Sequence, residues 1–165
     1  MARNETSTQL NLDEQSMTHP RVTDARFALG EISEDGMVTL ITYRQNIPPE
    51  VRAQLTEQFI VEWTFPGPCP GGLPDPTQLE PAVQLQELVT PVLEAGGDAV
   101  LAVMSTGNGY REIYFYCRDP RRLQARFNEC LQGRELPIEL HAGHDPSWRV
   151  FEEFVAPLKG GPTTG

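Results

Sequence analysis

The chain has 165 residues, of which 39% are hydrophobic, and its formal net charge is −10 at pH 7. A chain of this length and composition can bury enough apolar surface to fold without disulfides or structural metals. The acidic balance argues against nucleic-acid binding, because neutralising phosphate groups requires concentrated lysine and arginine. There is no long apolar run and no hydrophobic N-terminal segment. We therefore expect no membrane partner and predict a cytoplasmic protein.

Composition divides the chain into three predicted segments. Residues 1–24 are polar and lack any periodicity, which predicts a disordered leader. Residues 25–158 carry the periodic apolar patterns of a single folded domain. The glycine-containing end, 159–165, is typical of a flexible tail.

The cysteines are Cys69, Cys117 and Cys130, an odd number without a CxxC pair. This pattern argues against a disulfide framework and against a zinc knuckle. Reduced thiols fit best, with Cys117 and Cys130 serving as small core residues. No pattern in the chain points to a cofactor, and none is predicted.

The first predicted strand covers residues 37–43, where β-branched and aromatic residues alternate. Asp35 and Gly36 form a turn before it. Residues 26–32 precede this turn, and their pattern fits either a short strand or an extended arm.

A strand over residues 59–65 and a proline-rich loop lead to the first long helix. Thr77 with Glu80 three residues later predicts a capping box that opens a helix over 79–90. Pro91 lacks a backbone N–H, so we expect the helix to kink or end there.

Residues 99–104 and 110–117 are predicted to form a β-hairpin. Asn108 and Gly109 lie between them and adopt positive φ angles at little steric cost. The second strand alternates between an apolar face and a face that carries three tyrosines and Glu112.

A helix and a last strand complete this part of the chain. Asp119 as N-cap and Pro120 at the first helical position predict a helix that ends near Gln132. Residues 136–141 form the final predicted strand.

The C-terminal segment repeats the cap-and-proline signal at Asp145 and Pro146. The helix that it predicts has an apolar stripe at Trp148, Phe151, Val155 and Leu158. We expect this helix to lie along the edge or the open face of the sheet. There it would hide part of the surface formed by Tyr110, Tyr114 and Tyr116.

From residue 59 onward the predicted elements follow the order β-α-β-β-α-β, which is the split βαβ pattern of ferredoxin-like folds. We therefore predict an α+β ferredoxin-like sandwich with an extra N-terminal strand and a C-terminal helix. The two internal helices should cover one face of an antiparallel sheet. The pairing partner of the extra strand is left open.

A group of short motifs is spread over residues 36–158. They are Arg111, Tyr114-Phe115-Tyr116, Asp119-Pro120, His144-Asp145-Pro146-Ser147-Trp148, Phe151 and Pro157-Leu158. In this combination the chain resembles the bacterial domain-of-unknown-function family 695. The resemblance implies no established activity. Members of that family are sometimes joined to domains resembling the ribonuclease E inhibitor regulator B, which implies a regulatory, protein-binding role.

Positive charge is concentrated in one window of this acidic chain. Residues 111–134 contain six arginines and three acids, so the window carries about +3 and the remainder about −13. Arg118, Arg122 and Arg126 recur at helical spacing, with Arg121 beside them. Guanidinium groups bind carboxylates and phosphates in bidentate geometry, so this face is a candidate site for an acidic partner. The alternative is a solvated face that pairs with the protein's own acids.

A second candidate site is a pocket on the aromatic side of the sheet. Glu62 and Glu112 lie on neighbouring predicted strands and could form a catalytic carboxylate pair if they share a face. The alternatives are two ordinary solvent-facing glutamates and aromatic rings packed under the C-terminal helix. The candidate pocket residues are Arg111, Glu112, Tyr114, Tyr116, Glu62, Trp63 and Trp148.

The histidines give only a weak metal signal. His141, His144 and Asp145 are close in sequence, but their spacing is not that of an HExxH motif. Asp145 is better explained as a helix cap. We therefore predict no metal site.

Two functions are compatible with these patterns. The first is a non-enzymatic protein-interaction or regulatory module that binds an unknown protein, with an acidic protein as one candidate, through the arginine face and the open side of the sheet. The second is a small-ligand-binding protein or an enzyme that uses the aromatic face. A monomer and a homodimer both remain open.

Overall fold

The computed structural model describes residues 26–67 and 69–164, and the side chains among them up to residue 158. The predicted leader, 1–24, lies outside the described residues. The strands are β1 (Phe27–Glu34), β2 (Met37–Arg44), β3 (Glu57–Thr64), β4 (Ala99–Gly107), β5 (Tyr110–Cys117) and β6 (Ile138–His144). The helices are α1 (Pro49–Gln54), α2 (Pro76–Glu94), α3 (Pro120–Leu131) and α4 (Arg149–Thr164). The helix α4 thus extends into residues 159–165. That these residues form a flexible tail remains a prediction.

The six strands form one antiparallel sheet in the order β1-β2-β4-β5-β3-β6. The β3-α2-β4 unit has β5 between its strands, and the β5-α3-β6 unit has β3 between its strands. This interleaving of two split βαβ units is what the ferredoxin-like prediction requires. The predicted α+β class is confirmed.

The sequence predicted one extra N-terminal strand, but the structure has a hairpin of two strands there. The segment that the sequence left open between a strand and an arm is β1, which pairs with β2 along its whole length. The strand β2 also pairs with β4, on the side of β4 opposite to β5. The pairing is antiparallel, so the hairpin extends the sheet by two strands.

Both hairpin turns have the chemistry predicted for them. Asp35 and Gly36 have φ angles of 52° and 79°, and Asn108 and Gly109 have φ angles of 53° and 86°. Two successive positive φ angles define the turn whose twist matches that of paired strands.

The first long helix differs from its prediction at both ends. Its N-cap is Asp75, whose carboxylate accepts a hydrogen bond from Gln78 N at 2.9 Å, in place of the predicted Thr77 capping box. The helix α2 also continues past Pro91 to Glu94. Val89 and Leu93 are buried on either side of this proline, and their packing outweighs the one backbone hydrogen bond that proline cannot donate.

Helices cover both faces of the sheet. On one face α2 and α3 pack on the sheet through a core that includes Phe59, Phe115 and Phe127. On the other face α1 and α4 pack on a second core that includes Ile41 and Tyr116. Because this second face is largely covered, it is not the open binding surface that the sequence suggested.

The C-terminal helix lies where it was expected, on the tyrosine side of the sheet. Trp148 stacks on Tyr116 with ring centroids 3.9 Å apart, and Phe154 meets Tyr114 at 5.2 Å. Tyr110 is 43% exposed. The helix therefore hides part of the tyrosine surface, as predicted. In the described part of the chain, no helix is both long and apolar enough to span a membrane.

A buried hydrogen-bond network attaches the start of α4 to the sheet. The carboxylate of Asp145 accepts hydrogen bonds from Arg149 N at 3.0 Å and from Val150 N at 2.9 Å. It also accepts one from the Tyr116 hydroxyl at 2.8 Å, and that hydroxyl accepts one from Gln58 Nε2 at 3.0 Å. Asp145 is thus the helix cap that the sequence predicted, although the helix begins only at Arg149.

We predict that Asp145→Ala lowers the free energy of unfolding by about 2 to 4 kcal/mol, because it removes a cap and leaves a buried hydroxyl and two N–H groups without an acceptor. Urea denaturation measures this loss. Asp75→Ala is the matched control, since it removes an exposed cap and should cost only about 1 kcal/mol. Equal losses in the two variants would contradict the role given to the buried network.

Candidate functional site

Three glutamates lie directly opposite one another on neighbouring strands. Glu62 of β3 is in register with Glu112 of β5 on one side and with Glu139 of β6 on the other. All three point to the face that carries α4, because they alternate with residues buried on the opposite face. We call Glu112, Glu62 and Glu139 the carboxylate row.

His141 lies beside this row on β6. Its Nε2 is 3.0 Å from Glu62 Oε1 and 3.6 Å from Glu139 Oε1. The ligand atoms of Glu62, Glu139 and His141 all lie within 4.8 Å of one another. One imidazole nitrogen and two carboxylate oxygens in such proximity are the donors from which protein metal sites are built.

The carboxylate row is accessible to solvent because α4 extends toward β1 and does not cover β3 and β6. Trp148 and Phe154 pack on the tyrosines of β5. Further along the helix, Leu158 lies against Gly30 of β1. The side chains of His141 and Glu139 are 48% and 73% exposed. Water and dissolved ligands can therefore reach this corner of the sheet.

At the end of the row nearest to α4, burial and neighbouring negative charge together affect the ionisation of Glu112. Partial burial and the negative charge of Glu62 raise the pKa of Glu112, while His141 and a hydrogen bond with Tyr114 partly offset the increase. Burial and the charge of Glu112 in turn raise the pKa of Tyr114 to about 12. Tyr114 is therefore a hydrogen-bond donor at neutral pH and not a base.

The other predicted pocket residues are not part of this corner. Trp63 is buried on the α2 side of the sheet, and Tyr116 and Trp148 are sealed beneath α4. Of the seven candidate pocket residues, the structure brings together Glu62, Glu112 and Tyr114.

Arg111 also points to the α2 side. Its Nη1 donates to Thr106 Oγ1 at 2.7 Å and its Nη2 to Gln86 Oε1 at 2.5 Å. Burial lowers the pKa of Arg111, and its buried Nε has no hydrogen-bond partner among the described residues. Since that Nε is sealed from solvent, Arg111 cannot offer it to a ligand.

The candidate arginine surface is partly neutralised by the protein itself. Arg118 Nε and Arg126 Nη2 lie 3.4 and 3.5 Å from the two carboxylate oxygens of Asp98, and Arg118 also donates to the side chain of Gln54. Arg121 and Arg122 are exposed, and neither side chain has an ion-pair partner among the described residues. These two arginines carry the positive charge that remains available.

The surface around these arginines does not form a ligand pocket. A depression lined by Asp98, Asp119 and Leu123, together with three of the arginines, holds about 10 Å³. This is about the space of one water molecule. The geometry suits contact with another surface better than enclosure of a small molecule.

The histidine group considered from sequence is not assembled. His144 Nδ1 lies 2.7 Å from Glu57 Oε2, and both residues belong to the α2 side of the sheet. His141 belongs to the α4 side, and Asp145 is occupied as a helix cap. Sequence reasoning missed Glu139, whose role depends on the register of β6 against β3; the only available signal was its alternation with Ile138 and Leu140.

We predict that Glu62→Gln moves the pKa of Glu112 down toward its ordinary value, because it removes the facing negative charge. Carbon-13 NMR titration of the Glu112 carboxyl group measures the change. Burial remains in the variant, so the pKa should stay above the ordinary value. Glu139→Gln, one strand further away, should change the Glu112 pKa less. An unchanged pKa in Glu62→Gln would disprove the electrostatic coupling.

Comparison with known proteins places these features in a family. No curated protein matches the chain. A family model described as "Family of unknown function (DUF695)" matches residues 32–156, which include β2 to β6, the carboxylate row and the arginine surface. Because this match covers most of the chain, the protein belongs to the DUF695 family.

Proposed function

We propose that the protein is a non-enzymatic interaction or regulatory module that binds an acidic protein partner through the outer face of α3. The observation that carries this proposal is the exposure of Arg121 and Arg122 without an ion-pair partner among the described residues. In a chain of net charge −10, such a positive surface attracts acidic groups while the rest of the molecule repels them.

The neighbouring arginines would contribute to binding at the same surface because the protein already holds them in position. Arg118 and Arg126 are held by Asp98, so their guanidinium groups are positioned before a partner arrives. Pre-positioned side chains lose less rotamer freedom on binding. The shallow relief around them fits a broad contact, in which guanidinium groups bind carboxylates in pairs of hydrogen bonds.

A second candidate is a small-ligand-binding protein or an enzyme that uses the tyrosine side of the sheet. The observation in its favour is the pairing of Glu62 with Glu112 on one face. The site would consist of these two glutamates and Tyr114, since Tyr116 and Trp148 lie beneath α4 and Arg111 lies on the other face. Glu62→Gln and Glu112→Gln would then abolish ligand binding, and the arginine variants would not.

We predict that the double variant Arg121→Glu, Arg122→Glu reduces capture of the partner at least about tenfold, because attraction becomes repulsion at the contact. The measurement is affinity capture from an extract of the source organism at low salt, with quantitative mass spectrometry. Charges at an exposed surface are screened over about 8 Å at physiological ionic strength, so capture should weaken as salt is added.

The matched control is the double variant Arg134→Glu, Arg149→Glu. It changes the net charge by the same amount, but Arg134 follows α3 and Arg149 begins α4. A partner lost equally from both variants would be responding to net charge alone, and this result would refute the proposed surface. Retention of the partner by the Arg121/Arg122 variant would refute it as well.

A further inference from the structure

The carboxylate row is electrostatically costly as it stands. Like charges directly opposite each other on neighbouring strands destabilise a sheet, and Glu62 faces a like charge on both sides. Neighbouring strands are only about 4.8 Å apart. A bound cation would neutralise this row and remove the repulsion. His141 lies where it could serve as a further ligand to that cation.

The spacing of the donor atoms matches a coordination shell. With metal–ligand bonds of about 2.1 Å, two donor atoms lie about 3.4 Å apart around a tetrahedral ion and about 3.0 Å apart around an octahedral ion. His141 Nε2 lies 3.0 Å from Glu62 Oε1 and 3.6 Å from Glu139 Oε1. The third edge, between the carboxylate oxygens of Glu62 and Glu139, is no longer than 4.8 Å, and rotation of the exposed Glu139 side chain can shorten it.

We propose that Glu62, Glu139 and His141 form a binding site for a first-row divalent cation of the Zn²⁺ type. The cation takes the position between His141 Nε2 and the two carboxylates, and the imidazole binds it in its neutral form. The remaining coordination positions face solvent, because His141 and Glu139 are exposed.

The choice of cation follows from the donor set. Imidazole nitrogen favours Zn²⁺ and its neighbours in the first transition row, whereas Mg²⁺ and Ca²⁺ prefer sites built of oxygen alone. Two carboxylates balance the charge of one divalent ion. Glu112 lies next to Glu62 and adds negative potential without belonging to the donor set.

This inference is independent of the proposed partner surface, which lies on the helix layer of the opposite face. Its test is isothermal titration of the full-length protein with zinc chloride under reducing conditions. We expect one zinc ion bound per chain at this site, and at least about tenfold weaker binding in His141→Asn and in Glu62→Gln, because each variant removes one of three ligands.

His144→Asn provides a closely matched control. His144 lies on the same strand and contacts Glu57 at 2.7 Å, but no third ligand joins them among the residues that the structure describes. This variant should bind zinc as the wild type does. Circular dichroism should show that all three variants remain folded, since the substituted side chains are exposed or partly exposed.

Three results would overturn the proposal. The first is the absence of zinc binding by the wild-type protein. The second is zinc affinity unchanged in His141→Asn and Glu62→Gln, which would locate the ion elsewhere, for example on Cys69 or Cys130. The third is an equal loss of affinity in His144→Asn. None of these results would bear on partner capture by Arg121 and Arg122.

Discussion

The hydrogen bond between the Tyr116 hydroxyl and the Asp145 carboxylate is the contact on which the arrangement of the second sheet face depends. Asp145 caps α4 and Tyr116 projects from β5, so this bond fixes the start of the helix above the sheet. Trp148 then stacks on the same tyrosine and donates its indole N–H to Leu55 O at 2.8 Å, which joins α1 to the assembly. Because buried polar groups are costly when unpaired, the network specifies one position for the helix.

That position determines which part of the sheet meets solvent. From Tyr116 the helix proceeds toward β1, where Leu158 lies against Gly30, and it leaves the corner formed by β5, β3 and β6 uncovered. A Cβ atom at position 30 would lie 2.6 Å from Leu158 Cδ2, so the Leu158 side chain would have to shift to make room for it. The glutamates of the carboxylate row occupy the uncovered corner.

The two charged surfaces lie in opposite layers of the molecule and differ in how they are balanced. On the α3 side the protein supplies a counter-charge, Asp98, for two arginines, and it leaves Arg121 and Arg122 to solvent. On the α4 side His141 is near two of three carboxylates, and burial together with the charge of Glu62 raises the pKa of Glu112. Each surface therefore has residual charge, positive in one layer and negative in the other.

The sequence by itself determined most of the elements and the α+β class, because strand alternation, helical stripes and turn residues such as Asn108-Gly109 act over short distances along the chain. It also identified Asp145 as a cap. Only the tertiary structure decided that Arg111 points away from Glu62, and that Glu139 and His141 join it. The reason is physical: these neighbours depend on the register of strands from distant parts of the chain, and a shift of one residue would send each side chain to the other face.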